Sequence, residues 1–183
     1  MHAISDDTLV LYRIDPDDHL IFVSEKWDAV ATSAGGAHLH GQAILGQPLW
    51  RFISDVGTSE IYRHILTRVR GGPAVDLTLR CDTPDLRRTI GLRISATRDG
   101  TVDFHSRVLT AEARPPQAML DARTQRSDQL LHVCGWCKKF RIERQWVEVE
   151  DAVSLLGLFD DAVCPRMSHG ICDPCLVKFT ASD

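Results

Sequence analysis

Two Cys-x-x-Cys pairs near the end of the chain restrict what this part of the sequence can fold into. Cys134 and Cys137 form the first pair, Cys172 and Cys175 form the second, and 34 residues lie between the pairs. Each pair can form a tight knuckle that presents two thiolates to one ion, and two knuckles complete the tetrahedral shell that zinc prefers. The spacing therefore predicts one structural zinc ion held by these four cysteines.

The segment between the two pairs has the pattern of folded structure. Residues 145–147 are strand-like, and Glu150 and Asp151 lie at the favourable N-terminal end of a predicted helix. Four residues of that helix follow the i, i+3, i+4, i+7 spacing of an apolar face: Ala152, Leu155, Leu156 and Phe159. We expect the segment to fold back on itself and bring the cysteine pairs together.

Two further residues are reserve metal ligands. His169 lies three residues before Cys172, so its imidazole could replace a thiolate, although a supporting or packing role is favoured with four cysteines present. Cys164, beside Pro165, is the weaker reserve. A single Cys-x-x-Cys pair could also act as a redox dithiol, but that interpretation leaves the second pair unexplained.

The charge of the chain argues against nucleic acid or an anionic membrane as its main partner. The 21 Lys and Arg residues against 25 Asp and Glu residues give a net charge of -4 at pH 7. Residues 132–183 hold six Lys or Arg against eight Asp or Glu, so the cysteine-containing part is itself acidic. Phosphate binding requires concentrated Lys and Arg, which neither part supplies.

The sequence predicts a cytoplasmic protein without a membrane anchor. Residues 1–8 are acidic and lack the cationic start and apolar core of a secretory signal. No apolar run approaches the roughly 18 residues needed to span a bilayer. In a reducing compartment the six cysteines are expected to be thiols or metal ligands rather than disulfides.

The order of strand and helix signals before residue 112 predicts an α+β fold. Period-two apolar segments indicate strands, whereas Ser24 and paired glycines mark helix ends. The predicted elements are strands over 8–14 and 20–23, a helix over 25–34, a helical turn over 45–53, a helix over 59–70, and strands over 75–81, 90–94 and 102–108. This order predicts a five-stranded antiparallel sheet with helices on one face.

The same elements resemble a PAS domain, a small cytosolic sensory fold, over residues 7–112. The resemblance rests on the residues His-Leu-Ile-Phe-Val-Ser at 19–24 ahead of a helix containing Trp27, on Gly-Gln-Pro-Leu-Trp at 46–50 ahead of a second helix, and on the closing three-stranded meander. It implies a five-stranded antiparallel sheet that cups a small cavity.

The polar stretch over residues 113–131 is predicted to be a linker, with a helix as its expected structure. Two apolar pairs in it lie 11 residues apart, about three helical turns: Met119 with Leu120, and Leu130 with Leu131. The small zinc-knuckle module is then expected over residues 132–183.

The module resembles a Cys-rich tail that recurs behind PAS domains in bacterial signalling proteins. The matching residues are Cys-Gly-Trp-Cys-Lys-Lys from Cys134, then Trp146, then Ser-His-Gly-Ile-Cys-x-x-Cys ending at Cys175. The resemblance implies a metal-stabilised accessory module and a bacterial sensory context. It carries no settled output function.

Other residues with chemical potential are better explained without a cofactor. His64 lies where haem-binding PAS domains can place an iron ligand, but helical geometry turns it about 130° from the centre of the apolar face. His38 and His40 lack a neighbouring carboxylate or third histidine, so a loop without metal is favoured. Cys81 is predicted to be a buried thiol near the cavity. Haem and flavin are therefore less favoured than zinc.

The predicted function is that of a stand-alone sensory or adaptor protein rather than an enzyme. The PAS-like domain would bind a small ligand or a partner, and the zinc module would present an interaction surface to a second copy or to another protein. One alternative is a transcriptional regulator whose zinc module binds DNA. Another is a thiol and zinc redox switch that uses the same cysteines.

Overall fold

The computed structural model describes residues 10–33, 36–53, 55–158 and 163–180. The described residues divide into two units: the first contains those within 10–79 and 89–110, and the second contains those within 80–88 and 111–180. Thr8, Ala34 and Phe159, which belong to predicted elements, lie outside the described residues.

The first unit is built on an antiparallel sheet. Its strands are Val10–Ile14 (β1), Leu20–Val23 (β2), Val75–Arg80 (β3), Leu86–Ala96 (β4) and Val102–Ala113 (β5), and its helices are Trp27–Ser33 (α1), Gly41–Ile44 (α2) and Val56–Gly71 (α3). The last residue of β3, the first three of β4 and the last three of β5 are assigned to the second unit. The strand order is β2-β1-β5-β4-β3, and β1 pairs antiparallel with both β2 and β5. The predicted α+β class and five-stranded sheet are confirmed.

Helices α1 and α3 pack on the sheet face that carries Tyr12 and Phe104. The rings of Tyr12 and Phe104 stack with centroids 4.3 Å apart. Trp27 of α1 meets Tyr12 edge-on at 5.5 Å, and Tyr62 of α3 lies 6.4 Å from Phe104. Such aromatic contacts stabilise beyond the area that they bury. Four rings therefore occupy the space between the sheet and these helices.

The long helix α3 has a capped start and one buried face. The Asp55 carboxylate accepts the backbone N–H of Thr58 at 2.6 Å, which satisfies one of the unpaired donors at the helix start. Three of its residues are buried: Ile65, Leu66 and Val69. His64 is exposed, which confirms its predicted orientation. Although α3 has 16 residues, no helix within the described ranges is long and apolar enough to cross a membrane.

The second unit contains a mixed four-stranded sheet. Its strands are Gln125–Cys134 (β6), Phe140–Ile142 (β7), Gln145–Val147 (β8) and Val163–Gly170 (β9), and its helices are Val149–Leu156 (α4) and Asp173–Thr180 (α5). The strand order is β8-β7-β6-β9, with β6 and β9 parallel and the other pairs antiparallel. A parallel pair needs a crossover connection, which the chain makes through β7, β8 and α4.

The helix predicted for the linker is wrong. Residues Ala118–Leu120 form a single 3₁₀ turn, and residues 125–134 form strand β6. Met119 and Leu131 both enter the core of the second unit, but from different elements. The spacing of the two apolar pairs therefore does not mark one helix, since their buried members reach the core from separate elements. Residues 125–134 form a strand because β7 and β9 supply their hydrogen-bond partners.

Helix α4 is confirmed, but its predicted apolar face is wrong. The buried residues are Val149, Ala152 and Val153, whereas Leu155 and Leu156 are 64% and 41% exposed. Both sets satisfy the helical period, so periodicity alone could not choose between them. Packing against the sheet selects the face that begins at Val149, and Gly157 ends the helix with a left-handed φ of 66°.

Asp82 lies at the centre of an ion-pair network in the second unit. Its carboxylate pairs with Arg80, whose Nε donates at 2.8 Å, and lies 3.2 Å from Nη1 of Arg114. The Asp82 side chain is only 2% exposed. Burial raises the pKa of Asp82, but the hydrogen bond and charge of Arg80 outweigh burial and hold that pKa below its usual value.

Two glutamates connect this network to α4. Glu148 lies 3.4 Å from Arg80, while Glu150 lies 3.2 Å from Arg87 and 3.4 Å from Arg114. These contacts connect Arg80, Arg87 and Arg114 to α4 within the second unit. The second unit thus resumes at residue 111, beside the predicted boundary at 112, but it also contains residues 80–88, predicted as part of the PAS-like domain, and residues 113–131, predicted as a linker.

Replacing Asp82 by Asn should destabilise the protein by about 3 kcal/mol, because it removes the nearest counter-charge of the mostly buried Arg80 and Arg114 side chains. Only their longer contacts with the two glutamates would remain. Asp85→Asn on the same loop is the matched control, with an expected change within about 0.5 kcal/mol because Asp85 is exposed. Denaturant unfolding at pH 7 measures both.

The stabilising effect of Asp82 should also depend on pH. Its folded-state pKa is lowered, so its contribution is present above the unfolded-state value near 4 and is lost as the pH falls through the folded-state value. The stability difference between the native protein and Asp82→Asn should therefore shrink in acid. A difference that grows in acid would contradict the network.

Candidate metal centre

The parallel pairing of β6 with β9 places the two cysteine knuckles side by side. Cys134 is the last residue of β6, and its register partner is Gly170, the last residue of β9. Cys172 follows two residues later, and Cys175 lies in the first turn of α5. Because parallel strands end at the same sheet edge, cysteines far apart in sequence meet there.

Backbone hydrogen bonds shape the first knuckle. The Cys134 N–H donates to the Lys139 carbonyl at 2.8 Å, and the Lys138 N–H donates back to the Cys134 carbonyl at 3.0 Å. Lys138 has a left-handed φ of 58°, which closes the turn. The Gly135 N–H donates to Gly170 at 2.8 Å and so joins the first knuckle to the end of β9.

The second knuckle contacts the first through sulfur. The Cys172 N–H points to the Cys134 Sγ at 3.4 Å, a distance suited to a weak bond with sulfur. The Cys175 N–H donates to the Cys172 carbonyl at 2.9 Å, which holds the second pair in a tight turn. Cys134, Cys172 and Cys175 are buried, whereas Cys137 is half-buried.

The four sulfur atoms have the spacing of ligands around one ion. All four lie within 4.8 Å of one another. Cys137 Sγ and Cys172 Sγ are 3.7 Å apart, and a tetrahedral site with Zn–S bonds of about 2.3 Å would place its sulfurs about 3.8 Å apart. A disulfide would need about 2.05 Å. The donor set therefore fits a metal ion.

Hydrogen bonds and burial set the ionisation of these thiols. A hydrogen bond from the Cys137 thiol, together with backbone N–H groups, lowers the pKa of Cys134 to about 4. Burial, followed by a hydrogen bond with Cys172, raises the pKa of Cys175 to about 12. The hydrogen bond to Cys134 raises the pKa of Cys137. One thiolate is therefore favoured before a cation arrives, and a cation would favour the others.

The reserve ligands do not join the cluster. Across the described residues, the four cysteines form the one group of at least three His, Cys, Asp or Glu side chains that could hold a metal. Cys164 lies instead in the apolar core of the second unit, and His169 is exposed on β9. These positions agree with the preference for the four cysteines over either reserve.

The other candidate residues from the sequence, His38, His40 and Cys81, are not part of the cysteine cluster. His40 Nε2 lies 2.9 Å from Thr32 Oγ1, and His38 is exposed. Cys81 is half-buried beyond the end of β3, where its carbonyl accepts a hydrogen bond from Arg88 Nε at 2.8 Å. The prediction that Cys81 is a buried thiol facing the PAS-like interior is therefore wrong, because the strand ends at Arg80 and Cys81 belongs to the second unit.

Sequence reasoning missed the groups that support the cluster. Lys139 and Gly170 contribute backbone carbonyls, and Gly135 contributes a backbone N–H. Since a backbone group imposes no residue type at its position, these partners leave almost no signal in the sequence. The Arg80, Asp82 and Arg114 network was also missed, although its charged residues could have been found by pairing the charges near residue 82 with those near residue 150.

Comparison with known proteins supplies structural neighbours but no sequence family. No protein-family model matches the chain, and no curated protein matches it. One similar structure is the RpfR quorum-sensing receptor PAS domain of Cronobacter turicensis in complex with C12:0, at 15% identity and a TM-score of 0.43, covering 59% of this chain and 100% of that one.

Two further solved structures are similar to part of this chain. A sensory box sensor histidine kinase from Vibrio cholerae matches at 11% identity and a TM-score of 0.43, covering 60% of this chain and 87% of that one. The PAS-B domain of Drosophila melanogaster Cycle with bound glycerol matches at 12% identity and a TM-score of 0.36, covering 55% and 99%. The PAS-like description of the first unit rests on its own strand order and packing.

Cys134→Ser and Cys172→Ser should each abolish tight binding of one metal ion per chain, because each removes a buried thiolate from a four-sulfur shell. Cys81→Ser is the matched control, since it removes a thiol outside the cluster and should retain the metal. Elemental analysis of the purified variants measures the ratio. Equal metal content in Cys172→Ser and Cys81→Ser would contradict the assignment.

Metal binding should weaken as the pH falls. The pKa values of Cys137 and Cys175 are raised, so these thiols carry protons at neutral pH and must release them to bind. Calorimetry in buffers of different ionisation enthalpy should detect release of protons when the ion binds, with Cys137 and Cys175 among their sources. An affinity that stays constant between about pH 6 and pH 8 would be inconsistent with this ligand chemistry.

Proposed function

We propose that this protein is a sensory adaptor whose PAS-like unit binds a small ligand or a partner, while its metal-bearing unit presents a fixed interaction surface. The closed four-sulfur cluster carries this proposal. Four cysteine sulfurs would fill the tetrahedral shell of one ion, whereas a catalytic zinc site keeps one position open for water or substrate. The proposed role of the metal is therefore structural, and the proposed function is not enzymatic.

Zinc is the proposed ion. Tetrahedral sites made only of thiolates suit zinc among the common cellular divalent ions, whereas calcium and magnesium require oxygen ligands. The separation of 3.7 Å between Cys137 Sγ and Cys172 Sγ supports a single ion. Because thiolate ligands must stay reduced, a cytoplasmic location is proposed as well.

The interior of the first unit favours a small ligand or a protein partner over a large cofactor. Tyr12, Trp27, Tyr62 and Phe104 lie between the sheet and its helices. Haem or flavin would have to displace several of these rings, and each buried aromatic contributes several kcal/mol to packing. His64 is exposed, so this residue offers no support for haem ligation.

Exposed apolar residues on the second unit support a protein partner. The larger ones are Leu130, Leu155, Leu156, Leu176 and Val177, with exposures between 41% and 64%. Leu155 and Leu156 are consecutive on α4, and Leu176 and Val177 are consecutive on α5, so each pair leaves neighbouring apolar groups at the surface, as contact sites do. Because the proposed function includes no catalytic step, the protein would pass its signal on by binding. The proposed binding partner is a second copy of the chain or another protein.

Native mass measurement of the full chain tests this function. The expected species is an assembly, or a complex with a ligand, that carries one zinc per chain and dissociates when a chelator removes the metal. Cys134→Ser should reproduce the effect of the chelator, whereas Cys81→Ser should behave like the native protein. A zinc-loaded strict monomer that binds neither a partner nor a ligand would overturn the proposal.

A redox switch is the second candidate function, and the exposure of Cys137 favours it. Cys137 is the half-buried member of the cluster, so an oxidant reaches its sulfur most easily. Oxidation by a peroxide would join the Cys137 and Cys172 sulfurs in a disulfide, reduce the peroxide to water and release zinc. Reversible zinc release under mild peroxide would support this function, whereas retained metal with unreactive thiols would exclude it.

A further inference from the structure

The second unit contains a cavity that is separate from the cysteine cluster. Its volume is about 300 Å³, at the lower end of the range for small-molecule sites. Pro115, Pro116 and Ala118 line its exposed rim, whereas the buried side chains of Met119 and Cys164 line its floor. The cavity therefore has a solvent-facing mouth and an apolar interior.

The floor of the cavity belongs to the packed core of the second unit. Met119 and Cys164 are each 1% exposed, and Val153 is 9% exposed. Leu158, just beyond α4, packs against the same core and lines the cavity. Because the lining includes core residues, the cavity is largely formed before a ligand binds, and the flexible Met119 thioether can adapt to a ligand's shape.

Glu150 supplies a polar group in this apolar lining. Its Oε2 lies 3.2 Å from Arg87, and its Oε1 lies 3.4 Å from Arg114. Both distances exceed the roughly 2.7–2.9 Å of strong charge-assisted hydrogen bonds, and each carboxylate oxygen has two lone pairs. The Glu150 side chain is 33% exposed, so its carboxylate can still accept a hydrogen bond from a ligand.

The two arginines also define the charge of a suitable ligand. Arg87 and Arg114 oppose the charge of Glu150, and they also lie near Glu148 and Asp82, so the acidic and basic groups here largely offset each other. An ammonium group would have to disturb these ion pairs, whereas a neutral N–H or O–H donor would not. An anion would meet the Glu150 charge directly, so a neutral ligand is favoured.

We propose that this cavity binds a small neutral aromatic molecule whose single hydrogen-bond donor points to the Glu150 carboxylate. An aromatic ring suits this lining because the Met119 thioether makes favourable contacts with ring edges, while Val153 and Leu158 add apolar surface and Glu150 accepts the donor. This site is distinct from the interior of the PAS-like unit and from the metal cluster. The proposal does not depend on the sensory-adaptor function.

Titration of the zinc-loaded full chain with indole, followed by ¹H–¹⁵N spectra, tests the site. Indole is bicyclic and neutral and has one N–H donor. It should cause saturable shifts at Met119, Val153, Leu158 and Cys164. 1-Methylindole lacks the donor and should bind roughly tenfold more weakly, as expected for the loss of one hydrogen bond to a charged acceptor.

Ala118→Phe is the blocking variant, because it places a ring at the exposed rim. It should weaken indole binding at least tenfold. Ala113→Phe is the matched control on the same segment, since Ala113 is exposed and lies outside the cavity lining, and it should bind indole as the native protein does. Zinc content and circular dichroism show whether both variants remain folded.

Three results would overturn the proposal. The first is the absence of saturable shifts at the lining residues of the native protein. The second is unchanged indole binding by a folded Ala118→Phe, which would place the ligand elsewhere. The third is equal affinity for indole and 1-methylindole, which would remove the role assigned to Glu150.

Discussion

The second unit depends on the parallel pairing of β6 with β9. This pairing sets Cys134 opposite Gly170 and so brings both knuckles to one sheet edge. The intervening residues must form a crossover, and ordering such a long connection costs conformational entropy. A metal that binds all four sulfurs would stabilise the paired ends, because this binding site exists only when the strands are aligned. Strand pairing and metal binding should therefore reinforce each other.

Helix α4 connects this pairing to the other features of the second unit. Its buried face covers the sheet, while Glu148 and Glu150 at its start contact the arginines around Asp82. Glu150 also lines the cavity. A change at the start of this helix would consequently affect both the ion-pair network and the proposed ligand site. The metal cluster lies at the ends of the strands and uses none of these side chains.

The sequence was informative where structure depends on local pattern or on ligand chemistry. Alternating apolar residues predicted the strands of the five-stranded sheet, and helical spacing placed His64 toward solvent. The two Cys-x-x-Cys pairs identified the cluster because few arrangements other than a metal site require four thiols at this spacing. Each of these inferences needed only residues close together in the chain or an unusual residue type.

The errors arose where distant contacts decide the outcome. Residues 125–134 become a strand because β9, more than 25 residues later, supplies their hydrogen bonds. The buried face of α4 is selected by the sheet beneath it, and its sequence is compatible with either face. Asp82 joins the second unit through Arg80 and through Arg114, which lies 32 residues further along the chain. Local patterns contain no record of these partners.

Amide hydrogen exchange with and without metal tests the central claim most directly. If the cluster and the β6–β9 pairing are coupled, removing the metal should reduce protection along both strands together, including the ends far from the four clustered cysteines, near Arg126. If only the amides of the two knuckles lose protection while β6 and β9 remain protected, the metal does not maintain the strand pairing and the account is contradicted.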